Sequence, residues 1–271
     1  MHTIEEKKAA FERLLGVLDR LRKECPWDRK QTNESLRPNT IEEVYELSDA
    51  LLKGDDAEVR KECGDVLLHV CFYAKIGEEQ EKFDIADVCN ALCDKLIFRH
   101  PHVYGNVVAE DAGKVCENWE KLKQREKGGN KTVLSGVPQS LPSLIKAYRI
   151  QDKARNVGFD WEERGDVWPK VKEEIAEFEA ELQKEADADG RLSAEAHARA
   201  EAEFGDLLFS LVNAARLYHL NPDNALEHTN QKFIRRFGYV EQRAKEHGKM
   251  LADMTLGEMD ALWNEAKSKG L

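Results

Sequence analysis

The chain has no long apolar run. None approaches the roughly 18 consecutive residues that a membrane span needs, so a helical membrane protein is excluded. An excess of basic residues is also missing. Lys and Arg number 41 against 52 Asp and Glu, a formal net charge of -11 over 271 residues. That balance argues against a binder of nucleic-acid polymers or of anionic membranes. The opening Met1-His2-Thr3-Ile4-Glu5-Glu6-Lys7 has no apolar core of a signal peptide, so a cytoplasmic location is expected. The six cysteines (Cys25, Cys63, Cys71, Cys89, Cys93 and Cys116) all precede residue 117, and a cytosolic chain this long seldom uses a disulfide framework. Cys89, Cys93, His100 and His102 match no standard zinc spacing, and both cysteines fit the apolar face of a helix, so they are read as buried thiols. Three kinds of chemistry lack their motifs. There is no G-x-x-x-x-G-K-[ST] loop, no adjacent His-Asp pair, and no histidine with a Glu three residues before it. Phosphate-loop, His-Asp phosphohydrolase and di-iron readings fall with them.

What is present is amphipathic helix. Residues 4–24 carry Phe11, Leu14, Leu15, Leu18 and Leu21 on one 3.6-period stripe, with Thr3 and Glu6 as a capping box. Further helical patterns run over about 40–53, 57–80, 84–98, 112–127, 142–155, 166–186, 193–219, 222–247 and 255–268. Strand alternation persists nowhere. A Gly- and Pro-rich break from Gly128 to Pro142 is the natural linker, and Ala186-Asp187-Ala188-Asp189-Gly190 joins two helices. The chain is therefore predicted to be all-α, with two tandem helical-bundle domains at 1–127 and 142–271 and a linker at 128–141.

The two halves are copies. Cys25-Pro26-Trp27-Asp28 answers to Val157-Gly158-Phe159-Asp160-Trp161, and Lys95-Leu96-Ile97-Phe98-Arg99 to Lys232-Phe233-Ile234-Arg235-Arg236. Asn118-Trp119-Glu120 resembles Leu262-Trp263-Asn264. The order is kept, with loop-sized insertions between landmarks, which marks a tandem duplication.

Acids carry the chemistry. Glu43-x-x-Glu46 precedes Glu62-Cys63-Gly64-Asp65, and Glu174-x-x-Glu177 precedes Glu203-Phe204-Gly205-Asp206. Residues at i and i+3 share a helix face. Two such helices packed together bring four carboxylates to one place, an arrangement that repels itself without a hard cation. An all-carboxylate set without histidine suits Mg²⁺, which shares its shell with water and substrate phosphates, with Mn²⁺ as a substitute. A Gly inside a helix costs about 1 kcal/mol relative to Ala. Gly64 and Gly205 therefore point either to close helix packing or to room for a metal and ligand. Lys95 with Arg99, and Lys232 with Arg236, share helix faces at i and i+4. Surface salt-bridging explains one such pair; recurrence in both repeats favours phosphate binding. Trp119 and Trp263 fit base stacking and core packing equally.

The order E-E-x-x-E, E-x-G-D with an apolar run, then K-F-x-R-R-F resembles the MazG family, nucleoside triphosphate pyrophosphohydrolases of the all-α NTP pyrophosphatase group. The resemblance covers nearly the whole chain as two MazG-like domains. It implies Mg²⁺-dependent hydrolysis of NTPs and dNTPs to the monophosphate and pyrophosphate, and a homodimer with helices packed across subunits. It further implies that Glu174, Glu177, Glu203 and Asp206 ligate metal, as Glu43, Glu46, Glu62 and Asp65 would in the first repeat. By the same likeness Lys170, Arg199, Lys232, Arg236 and Trp263 line the nucleotide, with Lys95, Arg99 and Trp119 as the first-repeat set. Glu173 or Glu174 would orient the attacking water or take its proton.

The copies are not equal. Lys170 stands four residues before Glu174, but Asn39 stands four before Glu43; Arg199 stands four before Glu203, but Glu58 stands four before Glu62. Each missing cation forgoes about 1–4 kcal/mol of attraction to a triphosphate. The second repeat is therefore expected to be the main catalyst. Two alternatives share these residues: a helical interaction module without turnover, and an enzyme restricted to dUTP, dCTP or modified nucleotides.

Overall fold

Helices begin where a side chain can accept orphan backbone N–H groups. In the computed structural model, Glu6 N–H donates to Thr3 Oγ1 at 3.2 Å and Thr3 N–H to Glu6 Oε2 at 2.7 Å. This is the expected capping box, and it opens α1 (Ile4–Glu24). Thr32 and Ser35 cap α2 (Asn33–Lys53) in the same way. Asp55 caps α3 (Asp56–Glu79), Asp84 caps α4 (Ile85–Arg99), and a short α5 (Pro101–Tyr104) follows. Then come α6 (Ser143–Arg155), α7 (Val167–Lys184), α8 (Ala194–Leu217), α9 (Pro222–Glu246) and α10 (Leu256–Ser268). The described residues are 1–106, 122, 132–184 and 192–271. The helix expected over 112–127, with Cys116 and Trp119, lies outside them. Among the described residues there is no β-strand, and the all-α expectation holds.

The chain divides into two compact units, Met1–Glu110 and Asp111–Leu271. In unit 1, α2 and α3 form the main antiparallel pair. Their tight reversal rests on Gly54, whose φ of +68° favours a residue without Cβ. The α1 stripe lays Leu18 against Leu36, Cys71, Phe72 and Ile76, with Phe11, Leu14 and Leu15 packed around them. Each such large side chain, taken fully from water, contributes roughly 1.5–3 kcal/mol. In unit 2, α7 and α8 form the corresponding pair around Val167, Val171 and Ala214, and α9 packs on α10.

Two expectations are corrected, and one open alternative is narrowed. The second helix starts at Asn33, not near residue 40, because the Thr32–Ser35 capping box opens it there, and Pro38 lies inside it. Cys89 and Cys93 are exposed, as is Cys63, and among the described cysteines only Cys71 is buried. The α4 face that carries Cys89 and Cys93 is turned outward together with Leu92, Leu96 and Ile97. Among the described residues nothing lies within 4 Å of where a Cβ would stand on Gly64 or Gly205, so close packing against them does not explain these glycines. The space beside them is open.

Candidate metal centres and nucleotide cavity

Helix pairing turns the two acidic motifs into two carboxylate groups. In unit 1, Glu43 of α2 meets Glu62 and Asp65 of α3; in unit 2, Glu174 of α7 meets Glu203 and Asp206 of α8. Within each group, one oxygen per residue lies within 4.8 Å of the others. Glu46 and Glu177 fall outside these triads but stand in their field. Partial burial and then the charges of Asp65, Glu46 and Glu62 push the Glu43 carboxyl above its ordinary value. Desolvation and then Glu174, Glu173 and Glu203 do the same to Glu177.

The donor set fits a hard divalent cation. All donors are carboxylate oxygens, with no Cys or His among them. Glu62, 3% exposed, keeps Oε2 buried and without a hydrogen-bond partner, an acceptor that a cation would satisfy. Its Oε1 is held by Lys61 Nζ at 2.7 Å. That cation is invisible to motif comparison because Ala202 takes its place in the second repeat. In unit 2, Lys170 Nζ reaches Glu174 Oε1 at 2.6 Å and Glu173 Oε1 at 3.0 Å. These two carboxylates, Glu174 foremost, raise the lysine well above its usual value.

The triad of unit 2 opens on a cavity of about 840 Å³. Lys170, Glu174 and Asp206 line its acidic side, and Ile150, Ala154, Phe159, Trp161 and Phe209 give it an apolar and aromatic wall. The remaining wall is polar. Arg216, 5% exposed, binds both oxygens of Asp160 and turns its Nε towards Asn213 Oδ1 at 3.1 Å. Phe159, Asp160 and Trp161 entered the sequence reading only as a repeat landmark. Gln151 and Arg216 were missed, because contacts across 56 to 58 residues leave no local spacing to find, and Asn213 is marked only by its bond to Arg216 three residues on.

Unit 1 fills the matching positions. Counting from the shared acids, Ser210 corresponds to His69, Asn213 to Phe72, Ala214 to Tyr73 and Val171 to Thr40. Thr40 Oγ1 lies 2.9 Å from His69 Nδ1 and 2.5 Å from the Tyr73 hydroxyl. Counting from Asp28 and Asp160, cavity-lining Ala154 becomes Arg22. Arg22 is buried over the Phe72 ring, with its guanidinium 5.4 Å from the centroid. Its Nε donates to Glu79 Oε1 at 2.9 Å, and that partner holds Glu79 below the usual carboxylate range.

The other expected nucleotide contacts lie elsewhere. Arg199 Nε donates to buried Glu181 Oε2 at 3.0 Å. Arg236 donates to the Leu271 oxygen at 2.6 Å and stacks over Trp263, which rests on Phe233. Lys232 is exposed on α9. None of these four lines the cavity. Lys95 and Arg99 are half-buried on α4.

Comparison with known proteins settles the family. Residues 31–104 match the MazG nucleotide pyrophosphohydrolase domain. An Escherichia coli K12 protein named nucleoside triphosphate pyrophosphohydrolase is 40% identical over 262 residues, 95% of this chain and 97% of that protein. The chain belongs to the MazG family. A Thermotoga maritima member, named nucleoside triphosphate pyrophosphohydrolase/pyrophosphatase MazG, is 40% identical over 267 residues, 97% of this chain and 98% of its own. A Mycolicibacterium smegmatis nucleoside triphosphate pyrophosphohydrolase is 37% identical over 149 residues, 53% of this chain and 45% of its own. The MazG domain match falls within unit 1, so the better family signature and the open cavity belong to different units.

Proposed function

We propose that this MazG protein hydrolyses nucleoside triphosphates, NTP and dNTP, to the monophosphate and pyrophosphate, with unit 2 as the main site. One observation carries the reading: the unit 2 carboxylates face an aromatic-walled cavity of nucleotide size. Phosphates belong at the acidic end through a cation, and the base belongs against Phe159, Trp161 and Phe209. In unit 1 the carboxylates persist, but Arg22, His69 and Phe72 occupy the corresponding space.

Glu174, Glu203 and Asp206 would hold Mg²⁺, or Mn²⁺ in its place, which supplies Lewis acidity at the α-phosphoryl group and charge for the leaving pyrophosphate. Glu177 would support the set from outside the triad. Glu173, exposed and tethered to Lys170, accepts the proton of the attacking water as the new P–O bond forms at the α-phosphorus and the bond to the bridging oxygen breaks. Lys170 offers its charge to the phosphate chain. The interaction-only alternative gains no support from membership in an enzyme family.

The tandem domains at 1–127 and 142–271 remain our reading of the repeat units. We also read the exposed apolar side chains of each unit, Leu92, Leu96 and Ile97 in unit 1 and Phe204, Leu208, Phe233 and Ile234 in unit 2, as contributing to the seam of the homodimer that the family resemblance implies. Sedimentation at micromolar concentration should report two chains; a monomer there would refute the seam. For the activity itself, purified protein is given Mg²⁺ and each of the common NTPs and dNTPs. Monophosphate plus pyrophosphate is expected, abolished by a chelator. Diphosphate plus phosphate, or no turnover, would overturn the reading.

A further inference from the structure

The unit 2 cavity contains two side-chain amides whose sense is fixed by the protein. Asn213 Oδ1 accepts from Arg216 Nε at 3.1 Å and from Nη2 at 2.8 Å, while Asp160 clamps the guanidinium from its other side. With its oxygen committed, Asn213 keeps Nδ2 as its remaining donor, and the residue lines the cavity. Gln151 is oriented the opposite way. Its Nε2 donates to the Phe209 carbonyl at 2.8 Å, which leaves Oε1 buried and without a hydrogen-bond partner. Burying an acceptor unpaired is costly, and the residue is only 6% exposed. Both amides line the cavity that Lys170, Glu174 and Asp206 reach.

We propose that Gln151 and Asn213 read the base edge of the nucleotide: Gln151 Oε1 accepts from an amino or imino N–H, and Asn213 Nδ2 donates to the adjacent ring nitrogen or carbonyl oxygen. The proposal rests on the nucleotide reading of unit 2. Adenine presents such an edge with its 6-amine beside N1, and cytosine with its 4-amine beside N3. Guanine and the pyrimidine diones match it with a carbonyl beside an imino N–H. One donor and one acceptor therefore admit every standard base, which makes the pair a reader of edge pattern and not of base size. Unit 1 has no such pair. Phe72 replaces Asn213, and the counterpart of Gln151 is Asp19, which is bound to Lys75 at 2.7 Å.

The sharpest test is Asn213→Asp. It keeps an oxygen for Arg216 and turns the remaining donor into an acceptor. Two acceptors then match guanine, which offers N1–H beside its 2-amine, and oppose adenine N1. Affinities for non-hydrolysable α,β-methylene analogues of ATP and GTP are measured with Mg²⁺ by calorimetry. The affinity ratio should move about tenfold towards the guanine analogue, the size of one exchanged hydrogen bond. The added charge acts on both analogues alike and cancels in the ratio. An unchanged ratio overturns the proposal. If the unsubstituted protein binds neither analogue, the nucleotide reading of unit 2 falls as well. Gln151→Met, close in volume, provides an independent check. The unsubstituted chain should prefer the ATP analogue over its purine-riboside counterpart, which lacks the amine, by about tenfold. That preference should vanish in the variant, and its persistence would overturn the role of Gln151.

Discussion

Asp206→Ala is expected to lower pyrophosphate release by at least about a hundredfold, beyond the 10–100-fold that follows loss of a group one layer outside a metal's ligands. Asp65→Ala should leave most of the activity in place. Both residues sit in carboxylate triads whose oxygens lie within 4.8 Å of one another, so the triads alone do not separate the units. The difference lies behind them. Asp206 borders the open cavity, whereas the positions behind Asp65 hold buried His69 and Phe72. Glu174 also has Lys170 beside it at 2.6 Å, where the first repeat has Asn39. Since residues 31–104 carry the family match, the experiment sets signature against cavity. Loss of activity in Asp65→Ala with near-normal Asp206→Ala would reverse the assignment.

Ala154→Phe is expected to raise KM for nucleotides by at least about tenfold, because a ring placed in the cavity must be displaced or the base excluded. It imitates unit 1, where the buried Arg22 stands at this position. The cavity's apolar neighbours Ile150, Phe159 and Phe209 accept a phenyl ring better than an unpaired guanidinium. The carboxylates are untouched, so Mn²⁺ affinity measured by electron paramagnetic resonance should stay within about twofold, an exposed cation site being insensitive to a neutral substitution some distance away. Unchanged KM would mean that the base does not use this cavity. Equal loss of Mn²⁺ binding would mean that the helix pair had been disrupted.

Helix positions were legible because their causes are local. Thr3 with Glu6 and the stripe through Leu18 announce α1, and the bounds Ile4–Glu24 follow. The start of α2 was not legible, because the cap that opens it, Thr32 with Ser35, spells no apolar period. The carboxylate triads were legible through acidic i, i+3 pairs repeated in two copies; Glu46 and Glu177, expected in the same sets, stand in their field. The cavity was not legible. Its polar wall joins Asp160 to Arg216 and Gln151 to Phe209, contacts between distant helices that no window of sequence contains. The filling of unit 1 depends likewise on which side chains meet across α1 and α3. Aligning the repeats pairs Ala154 with Arg22, but only the packing shows Arg22 buried over the Phe72 ring.

The central claim is that the duplication preserved two carboxylate frames and one nucleotide cavity. Its most direct test is the binding stoichiometry of an α,β-methylene NTP analogue with Mg²⁺, measured by calorimetry on the intact chain. One analogue per chain, lost in Asp206→Ala and retained in Asp65→Ala, is the predicted result. Two analogues per chain, or one that depends on Asp65, would contradict it.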